Sequence, residues 1–388
     1  MRRVSILVIT TVVLAACGDS VATSPNEPLE APRALGAARE TGASAVAAVF
    51  TSSNGMDGNA VLAFKRGADG SLNGPYAFPT GGRGTGGGLG NQDALVLDPS
   101  GRRLYVVNAG SDDVSVFDVR PDGLRLLQRI SSGGDEPISL ALRGNLLYVL
   151  NDGDAPNVQG FRVSRADGTL APLAGSRRAL SSAVPNAAQV GITPDGSTLV
   201  VTEKATNLVL SWALDRSGLP AAEFSSIVSN GATPFGFAFA GRGTLIVSEA
   251  FGGAPDASAL SSYLVGRGAP PSLVSGSVGT TESAACWVVT TRNGRFAFTT
   301  NTASGTVSGY SVERDGSIAL LEADGVSANL GAGSGPIDVA LSRGDRFLYV
   351  LAGGANAIGI FQVRADGSLV PLGKVSGLPA SANGLAVL

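Results

Sequence analysis

The chain has 388 residues, 28 Lys and Arg against 31 Asp and Glu, a net charge of −3, and no histidine. The charge balance lacks the basic excess of a nucleic-acid footprint, so no nucleic-acid partner is expected. The missing imidazole excludes Ser-His-Asp and Cys-His nucleophiles, zinc sites that use His, and His proton shuttles. With 54 glycines and only 15% charged residues, the composition points to short strands and tight turns.

The N-terminus comes first. Arg2 and Arg3 form a basic start, and residues 4–14 form an apolar run too short to span a bilayer as a mature helix. The run ends in Leu14-Ala15-Ala16-Cys17-Gly18, which resembles a bacterial lipobox. That resemblance implies a signal peptide over 1–16, a lipidated Cys17, and a protein anchored in the cell envelope facing the periplasm or exterior. Residues 18–44 are rich in Ala, Pro, Ser, Glu and Gly without a hydrophobic period, so 17–44 reads as the lipidated cysteine and a tether. The folded part is expected over 45–388.

A repeat occupies that part. An apolar run, a turn, and a second run ending in Asn or Glu are followed by an alternating strand and an Asp-Gly turn. The second runs end at Asn108, Asn151, Glu203, Glu249, Asn301 and Ala352, at spacings of 43, 52, 46, 52 and 51. Asp-Gly pairs at 69–70, 122–123, 167–168, 315–316 and 366–367 supply the positive φ of hairpin turns. Four short antiparallel strands at a period near 50 predict propeller blades. Strands two to four of a first blade start the series, six full blades follow, and residues 384–388 read as a lone first strand. The prediction is an all-β, seven-bladed β-propeller, closed when the C-terminal strand joins the first blade. A monomer is expected.

Leu104-Tyr105-Val106-Val107-Asn108 and the Asp-Gly hairpins resemble the seven-bladed lactonase family, which includes propeller-type 6-phosphogluconolactonases and 3-carboxymuconate cyclases. The resemblance covers about 45–388 and implies hydrolysis of a sugar-type lactone or a muconate-type cyclisation. It implies no cofactor. Where the family's enzymes often read Pro-Arg-His, then His-Pro-Asp-Gly, then Asn-Glu, this chain has Ala187-Ala188-Gln189, Thr193-Pro194-Asp195-Gly196 and Thr202-Glu203. Glu203 keeps the acid. Ala188 and Gln189 replace the Arg and the His, and an amide cannot exchange a proton near pH 7.

Propeller topology brings the start of each first strand and the end of each second strand to one rim. The longer loops, 81–92, 251–257 and 327–335, are expected there, where binding usually sits. The candidate bases are Glu203 and Glu249. Substrate-binding candidates are Gln189, Asn108, Asn151, Ser139, Trp287, Asn301 and Asp338, with Gln92, Asp93, Asn383 and Lys204 beside them. Amides and acids suit hydroxyls, and an indole suits stacking on a lactone or carbohydrate-like ligand. No metal site is expected. Cys286 reads as buried and inert, and the glycine run at 81–88 as a flexible rim loop. Two competing readings stand. The polar rim residues cap strand ends only, or the molecule is a non-catalytic, surface-anchored propeller that binds a glycan, peptide or protein.

Overall fold

The computed structural model describes residues 48–388 except 242 and 268. They form seven antiparallel sheets, each built on a four-strand path. Blade 1 pairs Ala48–Ser52, Ala60–Arg66 and Leu72–Pro79 with the C-terminal strand Asn383–Val387. The first strands of blades 2 to 7 are Leu95–Leu97, Pro137–Arg143, Ala187–Ile192, Pro234–Ala240, Ala285–Thr290 and Pro336–Leu341. The expected closure is therefore present. Phe50 pairs Ala386, Val49 pairs Val387, and Leu388 N donates to Ala48 O at 2.8 Å.

The second strand of every blade is buried along its length, apart from a half-buried Arg103 at one start. That is why these runs read as continuous apolar segments in the sequence, whereas the outermost strands are largely half-buried or exposed. Val61, Val106, Leu147 and Phe117 pack in one core between neighbouring blades, and Phe298, Leu348 and Phe361 in another.

A tyrosine in the second strand also ties one blade to the next. Tyr105 Oη donates to Gly168 O at 2.9 Å, Tyr148 Oη to Gly218 O at 2.8 Å, and Tyr349 Oη to Gly70 O at 2.9 Å. The acceptors are carbonyls of the Asp-Gly and Ser-Gly turns, so one residue pair serves both the hairpin and the inter-blade contact. The Tyr349 bond joins blade 7 to blade 1, across the same seam that the C-terminal strand closes.

Removing residues 383–388 deletes the first strand of blade 1 and bares the edge of Ala48–Ser52. The expected result is loss of the single cooperative melting transition, because a domain's net stability is only ~5–15 kcal/mol. Calorimetry on the truncated chain checks this. An unchanged melting temperature would show that the seam is held by other contacts.

Candidate functional site

The axis of the ring holds a cavity of about 600 Å³ lined by the first strands. Innermost strands have no partner on the axial side, so their N–H and C=O groups face one another across the channel. On the loop-rich rim these groups are covered by the chain itself. Residues 90–93 leave the path of blade 2, whose first strand is only three residues long, and run across the axis. Asn91 Nδ2 donates to Ile138 O, and Lys204 Nζ to Gly90 O. Trp287 Nε1 donates to Asn91 O at 2.6 Å and Gln92 N to Ala188 O at 3.0 Å. The Gln92 amide forms a two-way clasp with the Val288 backbone, at 2.7 and 2.9 Å.

This plug fits only because the opposing residue is glycine. A Cβ on Gly236 would lie 2.1 Å from Gln92 Oε1 and 2.6 Å from Cys286 O. The glycine run earlier in the same connection acts similarly. Gly84 packs so closely on blade 1 that a Cβ would meet the Asn54 carbonyl carbon at 2.2 Å. Gly84 N and Gly86 N donate to Gly55 O and Asn54 O, both at 2.8 Å. The segment expected to be a flexible rim loop is thus pinned, and its glycines permit close approach.

The plug also moves the opening. Asn91 and Gln92 are buried, while Pro99, Arg292 and Arg343, on the rim of the short turns, are exposed and line the cavity. The shaft therefore opens on the turn rim, opposite to the mouth expected from loop length.

At its floor, the strand-edge N–H groups are satisfied in a ring. Leu140 N donates to Asp93 O at 2.9 Å, Val190 N to Ser139 Oγ at 3.2 Å, and Phe237 N to Gln189 Oε1 at 2.6 Å. Val288 N meets Gln92 as above, Val339 N donates to Asp338 Oδ1 at 2.7 Å, and the Leu385 amide also bonds Asp338. Gln189 Nε2 donates to Asp93 Oδ2 at 2.7 Å.

Asp93 and Asp338 are the perturbed groups of this floor. Burial raises Asp93 to about 7 against the Gln189 hydrogen bond, which favours the charged form. Asp338 is held well above the usual carboxylate range, first by burial and then by the neighbouring Asp93 charge. The two carboxyl groups interact, so their proton affinities belong to the pair, and burial raises both. Asp93 has φ 65°, a left-handed conformation that Asp tolerates better than most residues. It lines the shaft together with Gln92 and Gln189.

The structure brings Gln189, Ser139 and Asp338 together at this floor and places the other candidates elsewhere. Glu203 and Glu249 are fully buried and do not line the shaft. Glu203 accepts from Ser181 N at 3.0 Å, Thr206 Oγ1 at 2.6 Å and Ser181 Oγ. Glu249 accepts from Gly231 N at 2.7 Å, Ser277 Oγ at 2.6 Å and Ser229 Oγ at 3.1 Å. Each clasps loops of its own half of the ring. Asn108 donates to Asp113 Oδ1 at 2.6 Å and Ser115 Oγ at 2.8 Å, Asn301 to Thr306 Oγ1 at 3.0 Å and Ser308 Oγ at 2.8 Å, and Asn151 to Asn157 Oδ1 at 3.2 Å. The end of the second strand is thus a repeated clasp on the third strand. Trp287 is buried against Phe235, with centroids 4.8 Å apart, and anchors the plug, so its face is not open to the shaft. Cys286 is buried and does not line the shaft either. Cys17 lies outside the described residues. Among the described residues no cluster of His, Cys, Asp and Glu is suited to a metal ion, and no helix is long and apolar enough to cross a membrane.

The wall between floor and mouth is built from two levels of the first strands. Residues such as Ala141, Gly191, Ala238 and Ala340 form an inner belt of small side chains. One position further on, six of seven residues are large and apolar. At the mouth stand Asp98, Arg292, Arg343 and Asp345, none of them singled out in the sequence.

Residues 57–184 match the model of the family described as Lactonase, 7-bladed beta-propeller. No curated protein matches the chain significantly. Among solved structures, a candidate 6-phosphogluconolactonase of Bacteroides uniformis superposes with a TM-score of 0.69 at 16% identity, over 89% of this chain and 100% of that one. The periplasmic gluconolactonase of Pseudomonas aeruginosa superposes with a TM-score of 0.67 at 19% identity, over 88% and 99%. A Lactobacillus plantarum protein gives 0.68 at 16%, over 88% and 99%. At these identities the superpositions establish the shared fold, and the match over 57–184 bears out the resemblance of this chain to the seven-bladed β-propeller lactonases.

Proposed function

We propose that this lactonase-like propeller hydrolyses a lactone in the axial shaft, with Asp93 as general base. The observation that carries the reading is a carboxylate fixed by Gln189 at the closed end of a cavity large enough for a small ligand, where burial pushes it up to about 7. The family match and the gluconolactonase activity named for the Pseudomonas aeruginosa neighbour support the reaction class.

In this reading ionised Asp93 takes a proton from water as the oxygen attacks the lactone carbonyl carbon. The ring C–O bond breaks, and the proton passes from Asp93 to the departing ring oxygen. The product is a hydroxy acid, which releases its carboxyl proton to solvent and leaves a carboxylate beside an Asp93 that is again ionised. Like-charge repulsion at the floor and the Arg292 and Arg343 guanidinium groups at the mouth both favour release outward. No imidazole is needed, which reconciles the chemistry with a chain that has no histidine.

Activity is expected to rise with pH through about 7 and then level off, because the base acts only when ionised. Asp93→Asn is expected to lower kcat/KM about a hundredfold or more and abolish that rise. Glu203→Gln, in a clasp away from the shaft, is expected to lower the melting temperature while keeping the pH limb. Lactone hydrolysis followed by acid release checks both. An Asp93→Asn protein with wild-type turnover, or a Glu203→Gln protein that alone loses the limb, would contradict the assignment.

The same reading includes export and lipid anchoring at Cys17, which rest on the sequence of residues 1–17. Cys17→Ser is expected to block processing and shift the protein out of the detergent phase on phase partition. Unchanged partition and mobility would remove the anchor from the proposal.

A further inference from the structure

We propose that the lactone this shaft accepts carries an alkyl tail, with the ester group at the floor and the tail running through the apolar wall toward the mouth. The inference rests on the hydrolase reading for the role of the floor and deepens it by naming the substrate class.

Its first support is where the polar side chains are. Asp93, Gln92 and Gln189 lie at the closed end, and Asp98, Arg292, Arg343 and Asp345 at the open end. Between them no charged side chain lines the shaft. Thr290 Oγ1 donates to Phe239 O at 3.0 Å, and Ser342 Oγ accepts from Phe347 N at 3.0 Å, so the two hydroxyls of the wall are already engaged. Along this wall a polyhydroxylated ring would find main-chain groups of the strand edges but few side-chain partners. The amides expected to receive sugar hydroxyls, Asn108, Asn151 and Asn301, are clasped within their blades and absent from the lining.

The second support is the collar. Leu97, Leu142, Ile192, Phe239, Leu341 and Val387 occupy equivalent positions of six first strands, each paired to an apolar residue of the second strand, with Thr290 at the seventh. All line the shaft. The level between floor and collar holds Ala in four blades and Gly in one, so small side chains border the axis there. From Gln189 at the floor to Ile192 at the collar the first strand of blade 4 advances ~10 Å, a length that a lactone ring with a medium-length alkyl tail spans. The collar side chains offer an alkyl tail apolar contact along this length.

The test is a homologous series of γ-lactones, from γ-butyrolactone to γ-decalactone, beside glucono-δ-lactone, assayed on the intact propeller. The expected result is a kcat/KM that rises about fourfold per methylene until the tail reaches the mouth, mostly through KM. Ala238→Leu and Ala340→Leu, which narrow the belt, are expected to lower the ratio of long-chain to short-chain kcat/KM at least tenfold. A flat series, or a preference for glucono-δ-lactone, overturns the tail while leaving hydrolysis intact. If no lactone is turned over, the hydrolase reading fails by itself. Calorimetric titration with alkyl γ-lactams, which resist hydrolysis, then decides the ligand class. Affinity that climbs with tail length and drops in Ala238→Leu upholds it, and absent or length-independent binding overturns it.

Discussion

Seven strand edges that meet on an axis have no neighbours to pair with, and this constraint organises the centre of the molecule. A buried amide left without an acceptor costs ~1–3 kcal/mol, more than a typical hydrogen bond contributes. The chain meets the constraint with a ring of acceptors at one level. Asp93 O, Ser139, Gln189, Gln92 and Asp338 take the N–H groups of Leu140, Val190, Phe237, Val288, Val339 and Leu385. Meeting it with the Asp338 carboxylate and the main chain of Asp93 leaves both carboxyl groups at a buried floor, where burial raises their pKa values. The candidate chemistry is thus a consequence of how the fold closes its own centre.

The sign of that cost is definite. Asp93 binds its proton more tightly in the fold than in the unfolded chain, so the fold holds more protons between about pH 4 and 7. Asp93 therefore lowers stability as pH rises through that window. The Asp-Gly-Ser hairpins act in the opposite sense. Asp69, Asp315 and Asp366 are held below the usual carboxylate range by the Ser hydroxyl two residues on, and their contribution is lost only as pH falls through their lowered pKa values. The turns remain set while the floor carboxylate changes charge near neutrality, as a base on a rigid scaffold requires.

The fold was legible because its signals are local and repeated. Leu-Tyr-Val-Val-Asn at 104–108 and Leu-Tyr-Val-Leu-Asn at 147–151 are second strands, and a lone strand at the C-terminus has one sensible partner. Part of the axial geometry was legible. Gln189, Ser139 and Asp338 meet at one level because alignment of first strands fixes their height on the axis. Glu203, Glu249 and the three asparagines were placed on the rim as ligand-facing groups, yet the asparagines turn to polar side chains of their third strands and the glutamates to amides and hydroxyls of neighbouring segments. What decided the opening was a tertiary fit, Gln92 against Gly236 about 140 residues apart in sequence. Glycine content alone reads as flexibility, and no local pattern distinguishes that from close approach. Arg292 and Arg343 were overlooked because short turns carry no length signal.

Amide hydrogen exchange on the native protein tests the central claim most directly. If the plug and the acceptor ring close the axis, the amides of Leu140, Val190, Phe237, Val288, Val339 and Leu385 exchange only through large-scale unfolding, although they line the axial cavity. Their protection then matches that of second-strand amides such as Val106 and Val200. Exchange of these six amides at rates near those of exposed loop amides would contradict the account, and with it the buried floor on which the Asp93 assignment depends.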